Sequence, residues 1–343
     1  MQTDAVRIEQ NVDLRPLNTL RVPARARYLA QVRDVDALPD LLADDRFASL
    51  PLLVLGEGSN VLLTRNFEGL VLRVQAQRIA ESAIDHDSAL ICAEAGVRWD
   101  DLVTWSLAHG YCGIENLALI PGLCGAAPIQ NIGAYAVELA DTLHAVDAFD
   151  RSTKRQVVLS RVECKFGYRD SVFKHQPDRY IVTEIRLRLS RSSALRIDYA
   201  GIGDELAALG IAAPNAADVA MAVRRLRRRK LPQPSLLPNA GSFFKNPLVD
   251  VAVAETLLAA HPAMPHWKAP DAQRIKLSAG WLIERAGFKG FRDGDAGIAP
   301  GHALVLVNHG DATGAQLLAL AQQVQAEVRK QFGVTIEPEP VVI

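Results

Sequence analysis

Short apolar runs alternate with amphipathic stretches along most of this chain. Residues 52–55, 71–74 and 90–93 are apolar runs of strand length, and 179–189 alternates apolar and charged residues as a half-buried strand does. Residues 99–109 predict a helix, with Leu102, Val103, Ser106 and Leu107 at helical spacing and Gly110 as its stop. Asn215, with Asp218 three residues on, opens a helix that runs to about Lys230. It stops at Leu231-Pro232-Gln233-Pro234, a domain boundary. Beyond lie a Gly-rich loop at 239–246, helices near 251–260 and 279–286, and a strand at 303–307. An amphipathic helix over 313–332 ends at Gly333, and a strand-like segment runs to Ile343. This order predicts an α+β protein of more than one domain.

Composition narrows the picture by exclusion. With 343 residues, 49% hydrophobic and 22% charged, the chain has material for buried cores and no signature of disorder. Its net charge of −1 gives no overall bias toward nucleic acid or anionic membrane. Residues 1–11 are polar and lack the apolar core of a secretory signal, and no apolar run is long enough to span a bilayer. A cytosolic protein is expected. Cys92, Cys112, Cys124 and Cys164 are scattered, as are the eight histidines, so reduced thiols and no metal site are expected. Arg224, Arg225, Arg227, Arg228, Arg229 and Lys230 place six basic residues in seven positions. The run can be a solvated helix face, a lane for diphosphate-bearing ligands or a nucleic-acid contact; the net charge and the lack of a nucleic-acid module weigh against the last.

Five segments carry candidate chemistry. In Leu55-Gly56-Glu57-Gly58-Ser59-Asn60 a strand enters two glycines that allow positive φ and converging amides, which is either a plain tight turn or a cradle for phosphate. The dinucleotide fingerprint needs a third glycine and a helix, and Val61-Leu62-Leu63 reads as another strand instead. Residues 115–135 are crowded with Gly and Ala, open to close approach of a flat ligand, and Gln130 and Asn131 can bond a ring edge. Arg169, in Phe166-Gly167-Tyr168-Arg169-Asp170-Ser171, could clamp a carboxylate or stabilise an enolate. Ser242 follows small residues and precedes Phe243 and Phe244, in no nucleophile elbow. Glu337-Pro338-Glu339-Pro340 is either a surface end or a rigid delivery of one acid.

These segments, in this order and over nearly the whole length, resemble the UDP-N-acetylenolpyruvoylglucosamine reductases of peptidoglycan synthesis. The resemblance implies noncovalent FAD in a domain of the vanillyl-alcohol-oxidase type, with NADPH and an enolpyruvyl UDP-sugar as substrates. It implies an FAD-binding region over 1–230, in subdomains of about 1–75 and 76–230, to which 334–343 returns. A C-terminal α/β substrate domain would span 231–333. Leu55, Gly56, Glu57, Gly58, Ser59, Asn60, Ile120, Pro121, Gly122, Ala126, Ala127, Gln130, Asn131, Gly133, Ala134, Tyr135 and Val182 would hold FAD. Arg169, Ser242 and Glu339 would be catalytic, and Tyr168, Arg169, Tyr199, Lys230 and Asn246 would meet substrate. A monomer without membrane or nucleic-acid partners is expected.

Two departures stand out: Ala136 replaces the usual Gly after Gly-Ala-Tyr, and Pro340 removes an N–H beside Glu339, which makes Glu337 the fallback acid. The rival reading is another FAD oxidoreductase of the same fold. Many of those tether flavin through His or Cys, and the 56–60 loop offers neither.

Overall fold

The computed structural model describes residues 5–199, 201–269 and 273–343. Two compact units form. The first contains the chain up to Val12, Ala26–Glu57 and Phe67–Arg229; the second contains Asp13–Arg25, Gly58–Asn66 and Lys230–Ile343. Two short N-terminal segments thus fold with the C-terminal part of the chain rather than with their flanks.

In the first unit, the strands Val6–Asp13, Arg25–Val32, Phe67–Val74 and Leu52–Val54 form one sheet in that order, with the last three parallel. Leu70, Leu72 and Val74 alternate onto one face and pack with Ala30, Val32, Leu38, Leu41 and Phe47. The polar first strand, read in sequence only as a polar terminus, lies at the edge, where half its side chains meet solvent. A second sheet is antiparallel, in the order Arg155–Ser160, Leu143–Asp150, Tyr180–Ser190, Ser88–Glu94, Ile79–Ala83. Tyr180–Ser190 buries Ile181, Thr183, Ile185, Leu187 and Leu189, the alternation its sequence predicts. The Leu143–Asp150 hairpin strand was not legible because Asp147 and Asp150 interrupt its apolar period. Both acids are paired across the sheet, Asp147 with Arg186 Nε at 2.7 Å and Asp150 with Arg179 Nη2 at 2.9 Å.

Helices Trp99–Ala108 and Ala216–Lys230 cover this sheet through Trp99, Leu102, Val103, Val219, Val223 and Leu226. Burying a Leu226-sized side chain stabilises by about 1.5–3 kcal/mol, which explains why so basic a helix stays docked. Its start is the expected reciprocal cap: Asn215 N–H donates to Asp218 at 2.9 Å, and Asp218 N–H donates to Asn215 Oδ1 at 3.0 Å.

The second unit has an antiparallel sheet ordered Asn239–Ser242, Val305–Asn308, Ala296–Ile298, Arg292–Asp293, and a smaller one ordered Leu248–Asp250, Arg274–Leu277, His266–Lys268. Helix Gly314–Phe332 buries Leu317, Leu320, Ala321, Val324 and Val328 at helical spacing, between a Thr313–Gln316 capping box and Gly333 at φ 68°. The Gly-rich segment expected as a loop is a strand over its first four residues. Gly241, at φ 70°, supplies the irregularity between the Asn239–Val307 and Ser242–Val305 pairs. Val341–Val342 pairs in parallel with Val61–Leu62. Among the described residues, no helix is long and apolar enough to cross a membrane.

Two stability experiments follow from this packing. The Arg179 guanidinium, then the Ser152 hydroxyl, hold the Asp150 carboxyl well below the usual carboxylate range despite its burial. A depressed folded value contributes stability above the unfolded value of about 3.9, lost as pH falls below it. Asp150→Asn should cost about 1–2 kcal/mol at pH 7, given a partner that is half exposed. Its melting-temperature deficit should shrink between pH 6 and pH 3; a constant deficit would refute the pairing argument. Separately, Ala136 sits at φ 61°. The left-handed region costs an L-residue about 1–2 kcal/mol, while glycine adds about 0.4–1 kcal/mol of unfolded-state entropy. Ala136→Gly should therefore raise the melting temperature slightly, and a fall would show that the strain is absorbed elsewhere.

Candidate functional site

Within the first unit, residues 115–135 wind through two 3-10 turns, Glu115–Leu117 and Cys124–Gln130. Cys124 N–H donates to Val97 O at 2.8 Å and Gly125 N–H to Ala95 O at 3.0 Å, which ties the segment to the strand end below. A Cβ at Gly125 would lie 2.6 Å from Ala95 Cβ, so this glycine serves backbone packing. Gly122 N–H donates to the Glu57 carboxylate at 3.0 Å, whose other oxygen pairs with Arg98 at 3.2 Å. The Glu57 side chain is thereby committed to joining two loops. Asn131, at φ 47°, is also satisfied internally: its amide donates to Glu138 at 2.8 Å and Gly167 O at 3.1 Å and accepts from Ala140 N–H at 3.0 Å. The ring-edge bonding anticipated for that side chain is therefore already taken by protein groups, and its backbone is what it can offer a ligand.

Arg169 occupies the left-handed region at φ 54°, donates from Nη2 to Gly133 O at 2.7 Å and lies 5.4 Å from the Tyr168 ring centre. Ser171 braces the turn by donating to Ile129 O at 2.6 Å. Tyr199, 40% exposed, meets Tyr135 edge-on with ring centres 5.3 Å apart. Ala200, which follows it, lies outside the described residues. Leu55 and Val182 are buried, whereas Pro121 and Ala126 are exposed.

The expected pair of positive-φ glycines is only half present: Gly58 is at φ 64° and Gly56 is not positive. In the second unit, a Cβ at Gly58 would lie 2.2 Å from Leu17 O, a close approach only glycine allows. The C-terminal segment runs back beside Ser242. Glu339 N–H donates to Phe243 O at 2.7 Å, Lys245 N–H to Glu337 O at 2.9 Å, and Val341 N–H to Asn60 O at 3.0 Å. Pro340 falls between two N–H groups that make these bonds, so its missing donor leaves the register intact. Phe243 and Phe244 are buried in edge-to-face contact at 5.2 Å, fixing the strand that carries Ser242. Glu337 is 71% exposed and pairs with Lys245 at 3.5 Å, while Glu339 is half-buried. Asn246 accepts Ala279 N–H at 3.0 Å. Lys230, exposed at the helix end, joins burial and Lys289 in pushing the His302 imidazole below its usual value.

The basic run divides. Arg224 donates to Asp100 at 2.8 Å, Arg225 donates to the buried Glu205 at 2.9 Å, and Arg229 pairs with the same carboxylate. Arg227 turns inward and donates Nε to Leu119 O at 3.2 Å, while Arg228 stays exposed. An evenly solvated face is not what forms.

Several polar groups are left aimed at no protein partner. Within the first unit, among the described residues, the backbone N–H groups of Gly56 and Glu57 meet no protein acceptor. Arg73 Nε and Asn116 Oδ1 are buried without partners. Arg73 interrupts the apolar run 70–74, a polar position inside a buried strand. Amide and guanidinium donors with an orphan amide oxygen fit a flavin dinucleotide, whose diphosphate accepts and whose ring edges do both. The four thiols are unpaired, and burial pushes Cys164 up to about 12.

Residues 26–158 match the FAD binding domain family, and residues 233–343 match the C-terminal domain of UDP-N-acetylenolpyruvoylglucosamine reductase. The chain is 51% identical over 338 residues to a Pseudomonas aeruginosa protein named UDP-N-acetylenolpyruvoylglucosamine reductase, covering 98% of this chain and 99% of that one. A Xanthomonas campestris protein of the same name is 53% identical, covering 97% and 95%. The Thermus caldophilus reductase crystal structure aligns with TM-score 0.68 at 27% identity, covering 98% of this chain and 99% of that chain. This chain belongs to the UDP-N-acetylenolpyruvoylglucosamine reductase family and is an FAD-containing oxidoreductase.

Proposed function

We propose that this enzyme reduces UDP-N-acetylenolpyruvoylglucosamine to UDP-N-acetylmuramate with NADPH, in peptidoglycan precursor synthesis, as a cytoplasmic monomer. The observation that carries the reading to residues is the Glu339 N–H bond to Phe243 O at 2.7 Å, which ties an acid to the strand of Ser242. Bound FAD would supply the hydride relay between NADPH and the enolpyruvyl double bond. Leu55–Asn60, Ile120–Gly122, Ala126, Ala127, Gln130, Asn131, Gly133–Tyr135 and Val182 hold the cofactor in this reading, within a region over 1–230. The substrate domain is 231–333, and 334–343 returns to the site.

The protein groups then handle charge and a proton. Arg169 is oriented by Gly133 O and backed by the Tyr168 ring. Together with Glu339 it steadies the negative charge that develops on the carboxylate side of the substrate. Ser242 Oγ donates the proton that completes the lactyl ether. Lys230 and Asn246 take the diphosphate, and Tyr168 and Tyr199 bound the sugar nucleotide.

Ser242→Ala should leave NADPH-driven bleaching of the flavin intact and slow its recovery on adding the enolpyruvyl sugar by about 10²–10⁴-fold. Normal turnover in stopped flow would remove Ser242 as the acid. Glu339→Gln should lower kcat by about 10²–10³-fold, while Glu337→Gln, breaking only a surface pair, should stay within about threefold. The opposite ranking would reassign the acid.

A further inference from the structure

We propose that Thr64 is a positioning residue for Glu339: its hydroxyl locks the returning C-terminal segment in the register that sets the Glu339 carboxylate. The inference rests on reading Glu339 as the acid beside the substrate. Every group involved lies in the second unit.

The C-terminal segment is bonded along a single edge. Glu337, Glu339, Val341 and Ile343 share one parity, so in an extended chain their main-chain N–H and C=O groups point to the same side. The first stretch of that edge meets the residues that follow Ser242. Pro338 bridges Phe244, Lys245 N–H donates to Glu337 O at 2.9 Å, and Glu339 N–H donates to Phe243 O at 2.7 Å. The second stretch pairs in parallel with Val61–Leu62. There Val341 N–H donates to Asn60 O at 3.0 Å and Ile343 N–H to Leu62 O at 2.9 Å. Glu339 thus sits where one pairing hands over to the other, with Asn60 Nδ2 facing its carbonyl at the long distance of 3.5 Å.

Of the two partners in the parallel pairing, residues 60–64 are the fixed one. Leu62 and Leu63 are fully buried. Gly314 opens the helix Gly314–Phe332 against them: a Cβ there would lie 1.8 Å from Leu63 O, an approach only glycine allows. The C-terminal segment has no such footing. Val341 is 48% and Val342 39% exposed, so apolar burial sets its register only weakly. Hydrogen bonds have to set it, and the pairing is two residues long. Thr64 adds the missing constraint. Its N–H and its Oγ1 both donate to the Ile343 main-chain oxygen, each at 2.7 Å. A slip of two residues, the smallest that keeps the same face, would break both bonds and move Glu339 about 6–7 Å along the edge.

The test follows the two half-reactions of the purified holoenzyme by stopped flow. Thr64→Val removes the hydroxyl and keeps the branched shape. It should leave NADPH-driven flavin bleaching at the wild-type rate and slow recovery on adding the enolpyruvyl sugar about five- to tenfold, the worth of one hydrogen bond. Thr64→Ser keeps the hydroxyl and should bring recovery back to within about twofold of wild type. In a Glu339→Gln background Thr64→Val should add nothing, because the group it positions is already gone. Amide hydrogen exchange of the C-terminal peptide, read by mass spectrometry, should quicken in Thr64→Val. A merely structural role would slow both half-reactions and add to Glu339→Gln, and either result overturns the proposal. So does wild-type recovery in Thr64→Val while Glu339→Gln is slow. Should Thr64→Val fail to fold, Val341→Pro, which removes the N–H that bonds Asn60 O, decides by the same split. If Glu339→Gln itself recovers at the wild-type rate, the reading of the acid falls first and takes the proposal with it.

Discussion

The carboxylate of Glu57 joins two loops of the first unit. It accepts Gly122 N–H on one oxygen and pairs with Arg98 on the other, so the turn after Leu52–Val54 and the segment 115–135 are fixed against each other. Without that tie, backbone amides at Gly56 and Glu57 that meet no protein acceptor would have no fixed direction. A binding site made of main-chain donors has to be held by side chains that are themselves satisfied. Asn131, Ser171 and Asn116 extend the same plan by bonding loop carbonyls and amides. The result is a preorganised frame with main-chain donors left uncommitted.

The C-terminal side depends on a different device. Phe243 and Phe244 anchor a short, irregular strand in the interior, and the returning C-terminal segment bonds to it through Glu339 and Lys245. One carboxylate of the Glu-Pro-Glu-Pro tail is held beside Ser242's strand while the other faces water with Lys245. Proline between the two acids keeps the segment extended.

Much of this was legible in the sequence where periodicity is strong. The helices at 99–108, 216–230 and 314–332 and the strand at 180–190 carry clean apolar periods, and the last two helices have reciprocal caps. The edge strand Val6–Asp13 was hidden because half of its positions meet water, and Leu143–Asp150 because its acids pair with Arg186 on the neighbouring strand and Arg179 just before it. The same limit applies at the site. Gly, Ala and Asn in 115–135 suggested room for a flat ligand. Sequence could not tell that Gly125 packs on Ala95, that Asn131's amide is taken, or that Glu57 bonds Gly122. The arginine run shows the gap most sharply: residues adjacent in sequence point to Asp100, Glu205, Leu119 and solvent.

The central claim is that Ser242 supplies the proton while Arg169 and Glu339 stabilise the developing charge. A crystal structure of the holoenzyme with the enolpyruvyl sugar bound tests it most directly. The account predicts Ser242 Oγ about 3 Å from the carboxylate-bearing carbon, with the Glu339 and Arg169 side chains on the substrate carboxylate. Glu337 should remain in solvent with Lys245. A complex with Glu337 at the substrate, or with Ser242 turned away from that carbon, would contradict it.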